Sequence, residues 1–318
     1  MKIGIIGTGQ VGAACAFACV MRGVGTQLVL VDHNPALAKA QAEDILHATP
    51  FSESIPVTHG DIDALAGCGI VMIAAGVPQK DPSETRLQLL ARNAEVFAEI
   101  IPQILKAAPD AILLIASNPV DVMTHMALKI AADAKLSDQT RIIGSGTILD
   151  TARFRALIAA HLNVSSHSVH AYVLGEHGDS EVLLWSDVNI GAVPLEAFGK
   201  QTGRTLTMDN IQSIDDGVRR AAYHIIEGKG ATWFGIGAGM ARIAEAIVGD
   251  ERALLTVSGH TDDIADGGSV TFSVPRIIGA KGIVDTVLPP LSTQEAAELA
   301  RSAEIIRAAC ADLVSAVS

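Results

Sequence analysis

Cysteine is scarce, long apolar runs are missing, and positive charge is in short supply. Four cysteines in 318 residues are too few for a disulfide scaffold. Cys15 and Cys19 stand one helical turn apart while Cys68 and Cys310 are isolated, so no paired zinc-type spacing exists. They read as small apolar fillers in a reducing compartment. No stretch of about 20 strongly apolar residues offers a membrane span. The run from residue 1 to 21 resembles a signal peptide only superficially, because Thr8 and Gln10 interrupt it and three glycines are ordered within it. The expectation is a soluble, cytoplasmic protein. Lys and Arg together number 23 against 35 Asp and Glu, a net charge of −12. Such a field repels phosphate backbones and argues against nucleic acid as a partner. Any anionic ligand must then be held by locally placed arginines or helix N-termini. What is plentiful is apolar: 49% of residues are hydrophobic and only 18% charged. That rules out a disordered chain and leaves apolar surface for subunit contacts.

The first half alternates short apolar runs (2–6, 27–31, 70–74, 111–115 and, less clearly, 141–143) with amphipathic segments at 36–47 and 85–107. In the longer segment Leu87, Leu90, Ala94, Phe97, Ile101 and Ile104 recur at three- and four-residue steps and form one stripe. Pro102 should kink that helix. Strand–helix alternation with short connections predicts an α/β fold, a parallel sheet covered on both faces. The second half reads as mixed α+β. Helices are expected near 150–161, 209–227 and 292–317, and antiparallel strands at 168–174, 182–188 and 269–274. The last helix opens on a capping box, Ser292 with Glu295, and carries Leu299, Ala303, Ile306, Cys310 and Leu313 on one face.

Gly7-Thr8-Gly9-Gln10-Val11-Gly12 follows the first strand and opens a helix. The first glycine permits the tight turn, the second lets backbone approach a pyrophosphate, and the third lets helix pack on strand. Asp32 stands 20 residues past Gly12 at the end of the second strand. A carboxylate there binds both ribose hydroxyls and repels a 2′-phosphate, which predicts NAD rather than NADP. The expected architecture is a doubly wound parallel-sheet Rossmann domain over 1–145, followed by an α+β substrate domain over 146–318.

The remaining polar signals sit after strands. Gly76 begins a turn-rich segment that contains Gln79 and ends at Arg86; it reads as a surface loop or as a lid over a ligand. Asn118 follows the fifth strand in Ser117-Asn-Pro-Val-Asp121. Asp150 and Arg153 share a helix face at i,i+3, alone a weak surface ion pair. Arg155 lies about 200° further round than Arg153 and must address another place. His177 lies in Gly175-Glu-His-Gly-Asp179. In one extended strand His170 and His177 end on opposite faces about 23 Å apart, so they cannot share a metal, and no metal is expected.

Taken together, the glycine fingerprint, Ser117–Asp121, Asp150-Thr-Ala-Arg153 and Gly175–Asp179 resemble the L-lactate and malate dehydrogenases, and the stretch 145–181 is most similar to the bacterial lactate enzymes. The resemblance runs in order from residue 3 to the 230s. It implies reversible hydride transfer between NAD and a small 2-hydroxy acid, with His177 as acid/base and Asp150 orienting its imidazole. Arg153 would grip the substrate carboxylate and Arg86 polarise the carbonyl. Asn118 would contact nicotinamide and substrate oxygen, and Thr232 line the pocket. Cofactor contacts would come from Gly7, Gly9, Gln10, Val11, Gly12, Asp32, Gly76 and Asn118. The residue types are what the chemistry needs: a group titrating near neutrality and a planar cationic fork.

At Gln79 the resembling malate enzymes carry arginine. A neutral side chain leaves a second carboxylate unpaired in a closed site, so pyruvate is favoured over oxaloacetate. The lid departs from the family by one extra residue, near Asp81. Arg155 and His170 match positions that hold a sugar bisphosphate at a subunit interface in allosteric bacterial relatives. This implies a homotetramer activated by fructose bisphosphate. Alternatives are a malate dehydrogenase or broad 2-oxo-acid reductase and, from another class, a non-catalytic dinucleotide-binding protein.

Overall fold

The computed structural model describes residues 1–77, 86–135, 138–262 and 268–317. Six strands, β1 (Lys2–Ile6), β2 (Gln27–Val31), β3 (Val57–Gly60), β4 (Cys68–Ile73), β5 (Ile112–Ile115) and β6 (Ile142–Gly144), pair in parallel in the order β3-β2-β1-β4-β5-β6. Helices α1 (Gln10–Arg22), α2 (Pro35–Leu46), α3 (Arg86–Ala107) and α4 (Val120–Asp133) cover the two faces. The order reverses between β1 and β4, which opens a crevice at the carboxyl ends of the strands. Alternation along β4 explains why its sequence is apolar throughout. Ile70 and Met72 pack towards Cys15, Cys19 and Met240 on one side, while Val71 and Ile73 meet Phe97, Ile101 and Met123 on the other.

The second half comprises α5 (Ile148–Leu162), β7 (Val169–His170), β8 (Val173–Leu174), β9 (Val182–Leu183), β10 (Asn189–Ile190), β11 (Val193–Pro194), α6 (Leu195–Thr202), α7 (Met208–Arg219), α8 (Ala221–Lys229), α9 (Phe234–Val248), β12 (Ala253–Thr261), β13 (Val270–Gly279), β14 (Gly282–Thr286) and α10 (Thr293–Val317). The antiparallel strands β12, β13 and β14 extend the parallel sheet beyond β6 through the pair Ser258 and Gly144, making nine strands in all. The halves therefore share one sheet. A separate core lies under α5, where Phe154, Ile158 and Leu162 meet Val169, Val173, Ile214 and Val218.

Three local departures from the sequence reading have visible causes. The expected strand 168–174 divides at Ala171, whose carbonyl accepts from Arg155 Nε at 2.8 Å, so that β7 pairs with β10 and β8 with β9 in separate sheets. Thr151 Oγ1 accepts from the Val173 N–H at 2.9 Å and Thr147 Oγ1 donates to its carbonyl at 2.5 Å. The expected helix 209–227 divides at Arg220 (φ −96°, ψ 0°); Ile214 and Val218 are buried before the break, but Ile225 and Ile226 are exposed after it. Not expected from the sequence reading, α9 packs on α1 and buries one face, with Gly237, Met240, Ala241, Ala244 and Ile247 inside and Phe234, Gly235 and Ala238 exposed. A Cβ at Gly237 would stand 2.8 Å from the Ala14 backbone, so only glycine lets these helices approach so closely. The expected strand 182–188 likewise shortens to β9, with a 3-10 turn over Trp185–Asp187, and β3, α4, β12 and β14 were not expected. α3 runs through Pro102 as one helix, with Leu90, Ala94, Phe97, Ile101 and Ile104 of its stripe buried and Leu87 exposed at its start. At the start of α10, Glu295 receives the Ser292 N–H at 2.8 Å and ties the helix to Ser186 as well. All four cysteines are buried with free thiols, pushed up by burial.

Candidate active site

The crevice begins with the glycine turn. Gly7 adopts φ +84°, and a Cβ there would stand 2.6 Å from Ala75 N. At Gly12 a Cβ would lie 1.8 Å from Gly7 O, so the third glycine is required for α1 to sit on its strand. Gly9 is different: the space where its Cβ would project is empty within 4 Å. As N-cap of α1 it provides no side-chain cap, and no acidic residue occupies the first turn with Gln10 and Val11. That leaves a helix N-terminus open to an anion. Asp32 anchors the far side. Its carboxylate is 5% exposed and accepts from Thr8 N–H at 2.7 Å and Asn34 N–H at 2.9 Å. The Thr8 hydroxyl and His33 Nδ1, at 3.2 and 2.9 Å, are side-chain partners that ribose hydroxyls could replace, and the charge opposes a 2′-phosphate. The residues fit a dinucleotide with a free 2′-hydroxyl.

Across the crevice, Asp150 opens α5 and is 3% exposed. One oxygen accepts from Arg153 Nη1 at 2.6 Å and the other contacts His177 Nδ1 at 2.5 Å. The carboxylate thus holds a guanidinium and an imidazole in fixed relation, and burial makes this a different object from the surface pair that i,i+3 spacing suggests. His177 is 26% exposed, leaving its edge open to the crevice. Burial alone pulls its pKa down. The Asp150 carboxylate and its hydrogen bond, helped by Asp121 and Glu181, override that and raise it to about 9.

Two acids that the sequence reading assigned no role complete the surroundings. Asp121, on α4, accepts the His177 backbone N–H at 2.7 Å. Burial raises its pKa to about 6, opposed by the Ser258 hydroxyl and that N–H. The loop carrying His177 is further fixed by Gly175, which exchanges both backbone hydrogen bonds with Ser273 of β13. Glu181, 4% exposed, lies beside the pair. Asp150, His177 and Glu181 each bring one nitrogen or oxygen within 4.8 Å of the others. Arg153 and His177 already occupy both Asp150 oxygens, so the cluster is a proton-and-charge network in this arrangement.

The other expected site residues are distributed as follows. Exposed Asn118 follows β5 and precedes a cis peptide bond to Pro119. Gly76 lies against Asn93, a buried α3 residue whose Oδ1 accepts the Val77 N–H at 2.9 Å and steers the chain leaving β4. Asn93 was legible only as a polar interruption of the α3 stripe. Thr232 is half-buried between α8 and α9. Gln79, Asp81 and the Arg86 side chain lie outside the described residues. Arg155 points away from Arg153: it donates to Ala171 O at 2.8 Å, stacks 4.8 Å from the Tyr172 ring centre, and has its pKa lowered by burial. It lines a cleft of about 360 Å³ together with His170, His167, Tyr172 and Arg242.

Residues 1–144 match the lactate/malate dehydrogenase NAD-binding domain, and residues 147–317 match the alpha/beta C-terminal domain of the same proteins. The chain belongs to the lactate/malate dehydrogenase family. As a member of that family it binds NAD through the first of these domains. It is similar to the L-lactate dehydrogenase of Thermus aquaticus, 56% identical over 313 residues that cover 98% of this chain and 99% of that one. With the L-lactate dehydrogenase of Allorhizobium ampelinum it is 55% identical over 308 residues, 96% and 97% of the two chains. The fold superposes on the minor L-lactate dehydrogenase of Enterococcus mundtii with a TM-score of 0.92 at 35% identity, over 98% and 97% of the chains. A lactate dehydrogenase from a Medee basin deep-sea metagenome library gives 0.93 at 37% identity, over 98% of each. No helix among the described residues is long and apolar enough to cross a membrane.

Proposed function

We propose that this family member is an L-lactate dehydrogenase that interconverts pyruvate and L-lactate. The observation that carries the reading is the buried Asp150 carboxylate shared by Arg153 and His177. When bound, NADH supplies the hydride. Arg153 offers a planar fork to the substrate carboxylate, which fixes the carbonyl relative to His177. The imidazolium donates its proton to the carbonyl oxygen in reduction, and the neutral imidazole takes it back in oxidation. Asp150 holds the Nδ1 proton, so the transferred proton is the one on Nε2. Arg86 would steady the charge developing on that oxygen, and Asn118 would orient substrate and nicotinamide side by side. Thr232 would close the pocket wall.

Gln79 supports pyruvate as substrate, since it supplies no charge for a second carboxylate. A homotetramer in the cytoplasm, with fructose bisphosphate bound between subunits at Arg155 and His170, accords with the cleft that these two residues share. NADH oxidation measured with pyruvate and with oxaloacetate, each with and without fructose bisphosphate, tests all parts. Pyruvate should have the higher kcat/KM, Gln79→Arg should shift preference towards oxaloacetate, and the effector should lower the apparent pyruvate KM. Equal or reversed preference in the wild type would favour the malate or broad-specificity reading.

A further inference from the structure

Beside His177 and Asp150 lies a second buried carboxyl that the proposed reaction does not consume. Glu181 is 4% exposed, and its Oε1 is buried without a hydrogen-bond partner among the described residues. Its backbone is pinned on two sides: the N–H donates to Gly178 O at 3.1 Å, and the carbonyl accepts from Arg219 Nη1 at 2.5 Å. The side chain therefore has little freedom to leave the cluster, where Glu181, Asp150 and His177 approach within 4.8 Å. The groups facing it are Asp150 and Arg153 from α5, His177 from its own loop, and Arg219 from α7, whose Nε is engaged by Asp215 at 2.8 Å. Asp121 of α4 faces His177 as well, accepting its backbone N–H at 2.7 Å.

We propose that Glu181 is a positioning residue that acts through the His177–Asp150 pair, its buried carboxyl keeping the proton-donating imidazolium charged in alkaline medium. This rests on the acid/base role of His177 given above. Burial, and the Asp150 carboxylate next to it, hold the Glu181 proton on until about pH 8, against the pull of His177, Arg219 and Arg153. Above that pH the carboxyl becomes a second anion beside His177 and opposes loss of the imidazole proton, so that Glu181 is one of the charges that together hold the His177 pKa at about 9. Glu181 gives no proton to substrate. It sets the charge against which His177 does so.

The test compares Glu181→Gln, equal in shape but unable to ionise, with wild type in pyruvate kcat/KM from about pH 6 to about pH 10. The alkaline limb of the variant should fall about one pH unit earlier, so that its deficit grows towards roughly tenfold above pH 9. Glu181→Asp should restore part of the shift. A deficit of the same factor at every pH, which a packing role would produce, overturns the proposal. A second readout needs neither turnover nor a folded variant: difference infrared titration of the wild type should show a protonated carboxyl band that survives at neutral pH and disappears near pH 8. No carboxyl titrating above neutrality would equally overturn it. Failure of the His177 reading is separate, because His177→Asn would then retain turnover.

Discussion

At the scale of single residues, the chemistry depends on one carboxylate being shared. Asp150→Asn would keep the shape but remove the anion that holds Arg153 and raises the His177 pKa. Both the orientation of the imidazole and its charge should suffer, lowering kcat by roughly 10²–10⁴-fold in steady-state NADH assays. His177→Asn should cost at least as much. The pH dependence follows from the raised His177 pKa of about 9. Pyruvate reduction needs the imidazolium and should stay level to about pH 8 before falling, while lactate oxidation needs the neutral ring and should rise over the same window. The ion pair also contributes to folding stability. Because the folded-state value lies above the ordinary 6.5, that contribution is complete below about pH 6.5 and is lost as the pH climbs through about 9. Chemical denaturation at pH 6 and pH 9.5 checks the sign. The residues of this site were legible in the sequence through the family resemblance carried by Asp150-Thr-Ala-Arg153 and Gly175–Asp179, while the i,i+3 spacing alone suggested only a weak surface pair. The second and third acids were not. Asp121 stands 56 residues from His177, and nothing in Glu181's own neighbourhood marks it as buried.

At the scale of elements, the glycines fix how close α1 sits to the sheet and to α9. Gly12→Ala would drive a methyl into Gly7 O, only 1.8 Å from where it would stand. The turn must then open, so NADH affinity measured by fluorescence titration should fall at least tenfold along with a lowered Tm. Gly237→Val acts on the other partner: overpacking against Ala14 should cost about 1–3 kcal/mol in urea unfolding. Its effect on NADH binding should be smaller, because α9 does not line the glycine turn. The fingerprint was readable because its three glycines lie within six residues and each serves a local need. The α1–α9 contact was not, because an apolar face at helical spacing shows that a helix is covered and says nothing of which distant helix covers it.

At the scale of the whole molecule, the sheet runs from β3 through β6 and β12 to β14, and the loop carrying His177 is tied to it through Gly175 and Ser273. Apolar side chains remain on the outside: Phe17 and Met21 of α1 are each 45% exposed, and Phe234 of α9 is 70% exposed. Contacts between subunits would cover such surface. Sedimentation velocity should therefore report an assembly larger than the monomer, and fructose bisphosphate should raise its share at low protein concentration. Arg155→Gln should abolish that response without altering Asp150 or His177 directly. An unchanged saturation curve and an unchanged mass with millimolar effector would count against the effector site, leaving the proposed pyruvate chemistry untouched.

The sequence by itself determined the strand–helix alternation, the dinucleotide turn, the carboxylate at Asp32, and the local pairing of Asp150 with Arg153. All of these are set by neighbours within a few residues or by the fixed periods of helix and strand. The excess of negative charge likewise required that positive charge be concentrated where anions bind. Only the tertiary structure decided which distant groups share the low-dielectric space around His177, that β12 closes the open edge of β6, and that α9 backs α1. Those choices depend on packing between segments far apart in the chain. The pKa values that govern the chemistry arise there, because burial and neighbouring charge are properties of the assembled interior and of no single stretch of sequence.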